Sequence, residues 1–393
     1  MVGRERAVAR EAAVRIGLLG PAHPLRGGIA QYLALLAGEL ASAGHEVHYL
    51  SLLRQYPSFL FPGQSQVDPS ASPLVVPNER VLDPMNPLTW GAAARRAQEL
   101  ALDAFAYKWW IPFFGPAYAP VLSGARRGGA VTVMIADNLV PHERRPFDDT
   151  LTRLVTDRTD GYLVMSESVE KDVTRLLPGR PVRRVPHPVY AQYGAAGRSR
   201  AEARARASLP ADGDVLLFFG FVRRYKGLDV LIEAMPRVRA ARDVTLVVAG
   251  EFYEPIAPLV ARIEELRLGE SVRVLDRYVP DEEVGDLVAA ADAVVLPYRS
   301  ATQSGVVLVA YAGGCPVIST AVGGLPEVVE EGVTGHLVPP EDPVALADAI
   351  LGFYARGGRP AYEPAVHAAA RRFSWSAVTE GIGRLVEDVR GKK

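Results

Sequence analysis

"FFGFVRRYKGLDVLIEA", residues 218–234, joins an apolar strand to a helix through a short basic loop. The apolar run ends at Gly220, and the loop that follows carries Arg223 and Lys226. Apolar residues then recur at helical spacing. In a parallel sheet such a loop lies at the carboxyl end of a strand, where ligands bind. Two cations beside a helix N-terminus favour an anion, so the stretch predicts an anion site, with a solvated basic turn as the alternative.

Strands and helices alternate along the rest of the chain in two series. The first series starts at residues 14–20 and includes "AVTVMIAD" at 130–137, and the second starts at "DVLLFFG", residues 214–220. Residues 194–213 between them are small and Arg-rich, which is typical of a linker and a solvated helix. This order predicts an α/β protein with two Rossmann-like, doubly wound parallel-sheet domains that face a cleft.

The composition restricts the classes of function. A chain of 393 residues favours two domains, and a formal net charge of -1 gives no argument for a nucleic-acid partner, so none is expected. Cys315 is the only cysteine, which excludes an intrachain disulfide and a Cys-rich metal site; no metal is expected. The sequence has neither a signal-peptide pattern nor an apolar run of bilayer length, which predicts a cytoplasmic protein.

Residues 20–32, "GPAHPLRGGIAQY", form a second junction between a strand and a helix. The G-x-G-x-x-G spacing of a dinucleotide site is absent, and the next strand, "EVHYLSL", ends without an acid that could hold a ribose. The glycine loop is predicted to border the cleft, with a flexible turn as the alternative. Residues 54–90, rich in Pro, Ser and Asn, are predicted to form a long loop over the same face.

Residues 300–320, "SATQSGVVLVAYAGGCPVIST", combine a polar loop with an apolar helix and contain no charged residue. A helix start offers free backbone N–H groups that suit a phosphate. The next loop, "STAVGGLPEVV" at 319–329, adds two glycines and a predicted helix start at Pro326. The two loops predict a diphosphate cradle, and ordinary βα-loop chemistry is the alternative. The residues assigned to the cradle are Thr302, Gln303 and Ser304, which could cap the helix, and Gly305, Gly323 and Gly324.

Residues 135–149, "IADNLVPHERRPFDD", hold the best acid/base candidates of the first series. Asp137 lies where a buried strand ends, and His142 follows five positions later. Polar residues at a strand end and a helix cap are the alternative. The aromatic stretch 107–122, "YKWWIPFFGPAYAPVL", predicts a strand and a helix packed in the core, with a lipid-facing or acceptor surface as the alternative.

Taken in order, these motifs resemble one family, the retaining GT-B glycosyltransferases of family 4. The N-terminal part of the resemblance is "RGGIAQYLALLAGELASAGHEV". Its C-terminal part combines "FFGFVRRYKGLDVLIEAM", "YVPDEEVGDLVAAADAVVLPY", "SGVVLVAYAGGCPVISTAVGGLPEVVEEGVTGHLVPPEDPVALADAI" and a final "FSW" helix. The resemblance covers nearly the whole chain, and all of the motifs in this order make a specific match.

The resemblance implies transfer of a sugar from a nucleotide-sugar donor to an acceptor hydroxyl, with retained anomeric configuration and with neither a metal nor another cofactor. The donor would bind to a C-terminal domain at 196–373, and the acceptor mostly to an N-terminal domain at 1–195. A helix within 374–393 would cross back to the first domain. A glycan, a lipid-linked and a small-molecule acceptor all stay open, as does a peripheral association with a membrane.

Several residues match the pattern of the family directly. Lys226 corresponds to the lysine that neutralises the donor diphosphate, and Gly27 and Gly28 correspond to the glycine loop near the phosphate and the transferred sugar. The arginine of the family stands where this chain has Phe221, so Arg223 is the displaced candidate for that role.

Other positions depart from the pattern. The two glutamates of the family, eight positions apart, correspond to Thr302 and Ala310, and a histidine of the family corresponds to Asp137, with His142 as its candidate substitute. In this family retention is attributed to same-face attack with the leaving phosphate as the base, which needs no carboxylate nucleophile. The catalytic candidates are Asp137, His142, Arg223 and Lys226.

Two other functions stay open. The missing glutamates would suit a catalytically degenerate GT-B protein that only binds its ligand. The GT-B fold also supports sugar-nucleotide epimerases, because a fold does not determine a reaction.

Overall fold

The structure is a computed structural model that describes residues 13–57, 61, 63–141, 145–194 and 198–391. Within these residues the chain forms two parallel β-sheets with helices on both faces of each sheet. The predicted α/β architecture with two doubly wound sheets is therefore confirmed. No helix in the described ranges is long and apolar enough to cross a bilayer.

The first sheet has seven parallel strands in the described part of the chain. They are β1 (Arg15–Gly20), β2 (Glu46–Leu52), β3 (Glu79–Leu82), β4 (Ala104–Trp109), β5 (Val131–Ala136), β6 (Gly161–Val164) and β7 (Val182–Arg184). The helices of this half are α1 (Gly28–Ser42), α2 (Pro87–Glu99), α3 (Gly115–Arg127), α4 (Asp148–Thr156) and α5 (Glu167–Leu176). The strand order is β3-β2-β1-β4-β5-β6-β7, so the order reverses between β1 and β4. The carboxyl ends of these two strands form the switch point where a doubly wound sheet binds ligands.

The second sheet has six parallel strands among the described residues. They are β8 (Asp214–Phe219), β9 (Val244–Ala249), β10 (Val272–Leu275), β11 (Ala293–Leu296), β12 (Val317–Thr320) and β13 (Gly335–Val338). Its helices are α6 (Arg200–Arg206), α7 (Leu228–Ala241), α8 (Ala257–Glu265), α9 (Asp281–Ala290), α10 (Gly305–Ala312), α11 (Pro343–Ala355) and α12 (Arg359–Ala370). The strand order β10-β9-β8-β11-β12-β13 reverses between β8 and β11, which gives this sheet its own switch point.

Each sheet separates two hydrophobic clusters, because successive side chains of a strand point to opposite faces. In β4, Phe105 and Tyr107 pack with α2 and α3, whereas Ala104 and Ala106 face the cluster that contains α1. The last helix, α13 (Trp375–Arg390), joins that second cluster through Trp375 and Ile382. The final helix thus packs on the first sheet, and the domain limits at residues 195 and 373 stay a prediction.

Two expectations about secondary structure are wrong. Residues 54–90 do not form one loop, because β3 adds to the free edge of β2 and α2 begins at Pro87. A strand of four residues between two prolines shows too little periodicity to be predicted. The helix expected at Pro326 is only a 3-10 turn, Leu325–Glu327, after which the chain returns to β13. The aromatic stretch 107–122 packs in the core, as predicted.

Candidate active site

At the switch point of the second sheet, the loop after β8 meets the first turn of α10. Gly220 has a φ of 102°, in the region that favours glycine. A Cβ at this position would lie 2.9 Å from Nζ of Lys226 and 3.6 Å from the side chain of Val306. The ammonium of Lys226 therefore lies against the backbone of Gly220, next to the start of α10.

Lys226 and Arg223 are two cations that lie close to each other in this loop. Lys226 is 8% exposed, with Nζ 5.6 Å from the ring centroid of Tyr298, and the guanidinium of Arg223 lies 4.8 Å from the ring centroid of Tyr253. No ion pair joins either side chain to a carboxylate within the described ranges. Burial first, and then the nearby charge of Arg223, lowers the pKa of Lys226 to about 8. Unbalanced positive charge of this kind favours an anionic ligand.

The start of α10 keeps its backbone N–H groups free of side-chain caps. The expected capping by Thr302, Gln303 or Ser304 is wrong, because none of these three side chains accepts a hydrogen bond from the first turn of the helix. Ser304 instead lies 3.5 Å from the hydroxyl of Tyr298, and Gln303 extends to the first domain. The free N–H groups at Gly305 and the ammonium of Lys226 together form an arrangement that suits a phosphate.

Gly323 and Gly324 allow the loop after β12 to lie on the backbone before α10. Gly323 has a φ of 52°, and a Cβ there would overlap the carbonyl oxygen of Ala301. The N–H of Gly324 donates to the carbonyl of Thr302 at 3.2 Å. The close approach predicted for these glycines is present, but it is made to protein backbone. The 3-10 turn that follows supplies no second helix start.

Gly27 and Gly28 border open space at the start of α1, since a Cβ on either would meet no atom within 4 Å. The preceding residue, Arg26, forms a buried ion pair with Glu251, which follows β9 of the other sheet. Its guanidinium also lies 4.6 Å from the ring centroid of Tyr278. The glycine loop of the first domain is therefore held to the second domain by Arg26.

A second charged cluster lies at the switch point of the first sheet. Lys108 at the end of β4 is 1% exposed, and its Nζ lies 2.7 Å from Oδ1 of Asp137, which follows β5. Nε2 of Gln303 donates to the same oxygen at 2.7 Å from across the cleft. The structure thus brings the predicted residues Asp137 and Gln303 together. His142, the other acid/base candidate of this domain, lies outside the described residues.

His187 and Tyr190 line the space between this cluster and α10. A Cβ at Gly305 would lie 3.4 Å from the ring of Tyr190 and 3.7 Å from Cε1 of His187. Burial first, and then the charge of Lys108, lowers the pKa of His187 to about 3, so the ring is neutral. Its Nδ1 lies 3.1 Å from the carbonyl oxygen of Pro188, which can only accept. Nδ1 therefore carries the proton, and Nε2 is an acceptor.

The two positions that correspond to the glutamates of the family differ in their surroundings. Thr302 lies in the loop before α10, whereas Ala310 is fully buried in the hydrophobic cluster that packs α10 on α12. The side chain at position 310 thus faces the core of the second half. Within the described ranges, no three His, Cys, Asp or Glu side chains converge in a group that could hold a metal.

Each half of the chain matches a protein-family model. The model described as "Glycosyltransferase Family 4" matches residues 26–193, and the model described as "Glycosyl transferases group 1" matches residues 213–356. The chain belongs to this glycosyltransferase family. The family predicted from the motifs is thereby confirmed.

Sequence and structure comparisons support this assignment. A D-inositol 3-phosphate glycosyltransferase of Xylanimonas cellulosilytica is 34% identical over 265 residues, 66% of this chain and 59% of the relative. D-inositol 3-phosphate glycosyltransferase 1 of Catenulispora acidiphila is 38% identical over 200 residues, 48% of this chain and 46% of the relative. The chain thus spans about half the length of the curated relatives it matches. The structure of Anabaena HepE in complex with UDP and glucose matches with a TM-score of 0.73 at 18% identity, over 95% of this chain and 100% of HepE, which confirms the GT-B fold.

Four residues of this candidate site were not predicted from the sequence: Arg26, Lys108, His187 and Glu251. A signal existed for Lys108, since a lone charge inside the strand "AFAYKW" is rare when a parallel strand is buried on both faces. Glu251 gives a similar signal two positions after the end of the apolar strand β9. Arg26 and His187 give none, because the residues that they contact are distant in sequence.

Proposed function

We propose that this protein transfers a sugar from a nucleotide-sugar donor to an acceptor hydroxyl, with retention of the anomeric configuration. The observation that carries the proposal is the pair of unbalanced cations, Arg223 and Lys226, beside the uncapped start of α10 at the switch point of the second sheet. A nucleoside diphosphate supplies the negative charge that this arrangement lacks. Membership in the glycosyltransferase family supports the same reaction.

The chemistry follows from where charge develops. As the bond between the sugar carbon and the phosphate oxygen breaks, negative charge grows on the leaving diphosphate. Arg223, Lys226 and the N–H of Gly305 would stabilise this charge more strongly in the transition state than in the bound donor. The departing phosphate then takes the proton of the acceptor hydroxyl, whose oxygen forms the new bond on the same face of the sugar.

The remaining predicted residues have supporting roles in this proposal. Gly27 and Gly28 allow the α1 start to approach the donor, because a ligand would meet no side chain there. Gly323 and Gly324 hold the loop that contains Thr302 in place. Asp137 would act at the sugar from the opposite domain, together with Gln303.

The relatives suggest the class of acceptor. Their names identify D-inositol 3-phosphate as their substrate, so we propose a phosphorylated or free polyol or sugar as the acceptor of this protein. A cytoplasmic location agrees with the free, buried Cys315.

A binding function without transfer is the second candidate. The observation in its favour is that neither glutamate position of the family carries a carboxylate, since Thr302 and Ala310 stand there. Such a protein would bind a nucleotide sugar and release neither nucleotide nor product.

The test begins with thermal unfolding in the presence of UDP, GDP, ADP and their glucose or mannose conjugates. The correct donor should raise the melting temperature by mass action. That donor is then incubated with D-inositol 3-phosphate, inositol and simple sugars, and nucleotide release and product configuration are measured. Acceptor-dependent release with a retained anomer supports the proposal. Conversion of the donor without acceptor indicates an epimerase, and binding without turnover indicates the second candidate.

A further inference from the structure

Two carboxylates of the second half hold the start of α1 from either side of its glycines. Glu251, two positions after the end of β9, forms the buried ion pair with Arg26, the residue before Gly27. Asp281, the first residue of α9, accepts a hydrogen bond from the side-chain amide of Gln31 in the first turn of α1. We refer to these two contacts as the α1 anchors. They fix the start of a helix of the first half against the second half.

The first anchor is buried and is made entirely across the two halves. Oε2 of Glu251 accepts from the guanidinium of Arg26, and Oε1 accepts from the backbone N–H of Gln64 at 2.5 Å. Glu251 is 2% exposed and Arg26 is 7% exposed. The guanidinium also lies 4.6 Å from the ring centroid of Tyr278 and 6.0 Å from that of Phe221. A charge and two aromatic rings of the second half therefore hold this arginine in place.

The second anchor belongs to a wider polar network. The hydroxyl of Tyr193 donates to Oδ1 of Asp281 at 2.9 Å, and the backbone N–H of Asp281 donates to Oγ of Ser70 at 3.0 Å. The backbone N–H of Ala71 donates to Oε1 of Glu282 at 3.0 Å. These contacts tie the loop after β2 to α9. The position of α1 therefore depends less on Asp281 than on Glu251.

The backbone between the two anchors is left free. Gly27, at the N-cap of α1, has a φ of 110° and no side chain that could accept from the first turn. A Cβ at Gly27 or at Gly28 would meet no atom within 4 Å. The start of α1 thus borders open space, although the residues on both sides of it are fixed.

Glu251 also lies close to a cation of the diphosphate site. Burial, and then the charge of Glu251, raises the pKa of Tyr253 to about 12, whereas Arg26 and Arg223 act in the opposite direction. The guanidinium of Arg223 lies 4.8 Å from the ring centroid of the same tyrosine. By its charge alone, a carboxylate in this place would weaken the binding of an anion. Its presence there is therefore explained by position rather than by charge.

Stability alone does not explain the first anchor. A buried ion pair adds little stability compared with apolar residues of the same shape, because both charges must be desolvated. The pair is also incompletely satisfied, because Nε of Arg26 is buried and has no hydrogen-bond partner among the described residues. The best-attested use of such pairs is to select one arrangement of two elements. Here the two elements are the start of α1 and the loop after β9.

We infer that the two carboxylates are positioning residues: Glu251 and Asp281 hold the start of α1 where its N–H groups meet the donor diphosphate. Each acts through the side chain that it binds, Arg26 or Gln31. The inference rests on the proposed function, in which the glycine loop approaches the donor. Affinity for the diphosphate then depends on two negative charges that would oppose it by their sign alone.

The test separates affinity for the diphosphate from affinity for the nucleoside. Calorimetry, with competition for weak ligands, compares UDP, GDP and ADP with uridine, guanosine and adenosine. The proteins are the wild type, Glu251→Gln, Asp281→Ala and the double variant Arg26→Met/Glu251→Gln. The double variant removes one charge of each sign, so its net charge is that of the wild type. It also leaves no unpaired buried charge, which keeps the test valid if Glu251→Gln folds poorly.

Glu327 provides a matched control. Like Glu251, it accepts from an arginine and from a backbone N–H of the first half, with 3.0 Å to Nη1 of Arg184 and 2.9 Å to the N–H of Glu167. These contacts hold the start of α5 and not that of α1. Glu327→Gln therefore removes an ion pair between the two halves and leaves both α1 anchors in place.

Both Glu251 variants should bind the cognate diphosphate about five- to thirtyfold more weakly than the wild type, because the N–H groups of α1 lose their position. Asp281→Ala should bind it about three- to tenfold more weakly, since the other contacts of its network remain. Affinity for the nucleoside should change by less than about threefold in all three variants, and Glu327→Gln should bind both ligands as the wild type does.

Four results would overturn the inference and leave the proposed function intact. They are tighter binding of the diphosphate by Glu251→Gln, unchanged binding by the double variant, equal losses for diphosphate and nucleoside, and an equal loss in Glu327→Gln. The first would show that the charge of Glu251 matters more than the position of α1. If no nucleoside diphosphate binds the wild type, both the inference and the proposed function are wrong.

Discussion

Each half of the molecule places one lysine at the switch point of its sheet, and the two lysines differ in how their charge is balanced. The chain has five lysines, Lys108, Lys171, Lys226, Lys392 and Lys393, and the first and third lie at these switch points. Lys108 lies 2.7 Å from a carboxylate, whereas Lys226 has no ion pair within the described residues. Both ammonium groups are buried, and each lies over a tyrosine ring, that of Tyr32 or that of Tyr298.

The difference separates two uses of a buried cation. A paired cation orients its carboxylate and leaves little net charge for a ligand. An unpaired cation carries a desolvation cost that an anionic ligand can offset on binding. The first half of the molecule is thus suited to neutral hydroxyl groups, and the second half to a diphosphate.

The largest expected contrast is in stability without ligand. Replacing Lys108 by Met leaves the buried Asp137 unpaired and should lower the free energy of unfolding by about 3–5 kcal/mol. Replacing Lys226 by Met removes an uncompensated charge, so stability should be unchanged or should rise. Urea denaturation at pH 7.5 measures the free energy of unfolding of both variants. A similar loss in the two would contradict the distinction between a paired and an unpaired lysine.

For the affinity for a nucleoside diphosphate, replacement of Lys226 should have a large effect and replacement of the Lys108 pair a small one. Lys226→Met should weaken binding of the cognate diphosphate by about 30- to 150-fold, since a charge-assisted hydrogen bond contributes roughly 2–3 kcal/mol. The variant Lys108→Met/Asp137→Asn should change this affinity by less than about threefold. Calorimetry with UDP, GDP and ADP gives the values. If Lys226→Met binds as tightly as the wild type, the phosphate does not contact this lysine.

The contrast between the lysines also shows what a sequence can predict. The loop with Lys226 follows an apolar strand and precedes a helix, so its place at the sheet edge follows from local pattern alone. Its lack of a counter-ion depends on every segment that packs around it, and only the structure shows that.

Lys108 is a different case. Its role depends on Asp137, which is 29 positions away, and on Gln303 from the second half of the chain. Its strand was correctly predicted as core, yet a charge in that strand has no evident role until β5 is placed beside β4. Gln303 was assigned to a helix cap by local pattern, and a tertiary contact with Asp137 replaces that cap. Local chemistry thus predicted the elements and the glycine loops, whereas the contacts across the cleft could not be derived.

The pH dependence of donor binding should follow Lys226. Its pKa of about 8 in the free protein rises when a diphosphate binds, because the ligand favours the charged form. Affinity is therefore complete well below pH 8 and falls as the pH rises through 8, by up to about tenfold per pH unit. Calorimetry between pH 7 and 9.5 measures this fall. In the control Lys226→Arg the guanidinium stays charged, so its affinity should be flat over the same range; a parallel fall there would assign the effect to another group.

The smallest expected effect is on His187, which reports the charge of Lys108. Its pKa of about 3 lies below the unfolded value near 6.5, so the unfolded chain binds the extra proton and stability falls as the pH drops below 6.5. At pH 5 this group should cost about 2 kcal/mol of stability. In Lys108→Met/Asp137→Asn the pKa should rise, yet remain below 6.5, because burial is the larger cause of its depression. The acid-induced loss of stability should then be smaller than in the wild type, and the NMR titration of the His187 ring should move to higher pH. An unchanged titration would mean that Lys108 carries no charge in the wild type. The description of Lys108 and Asp137 as an ion pair would then be wrong.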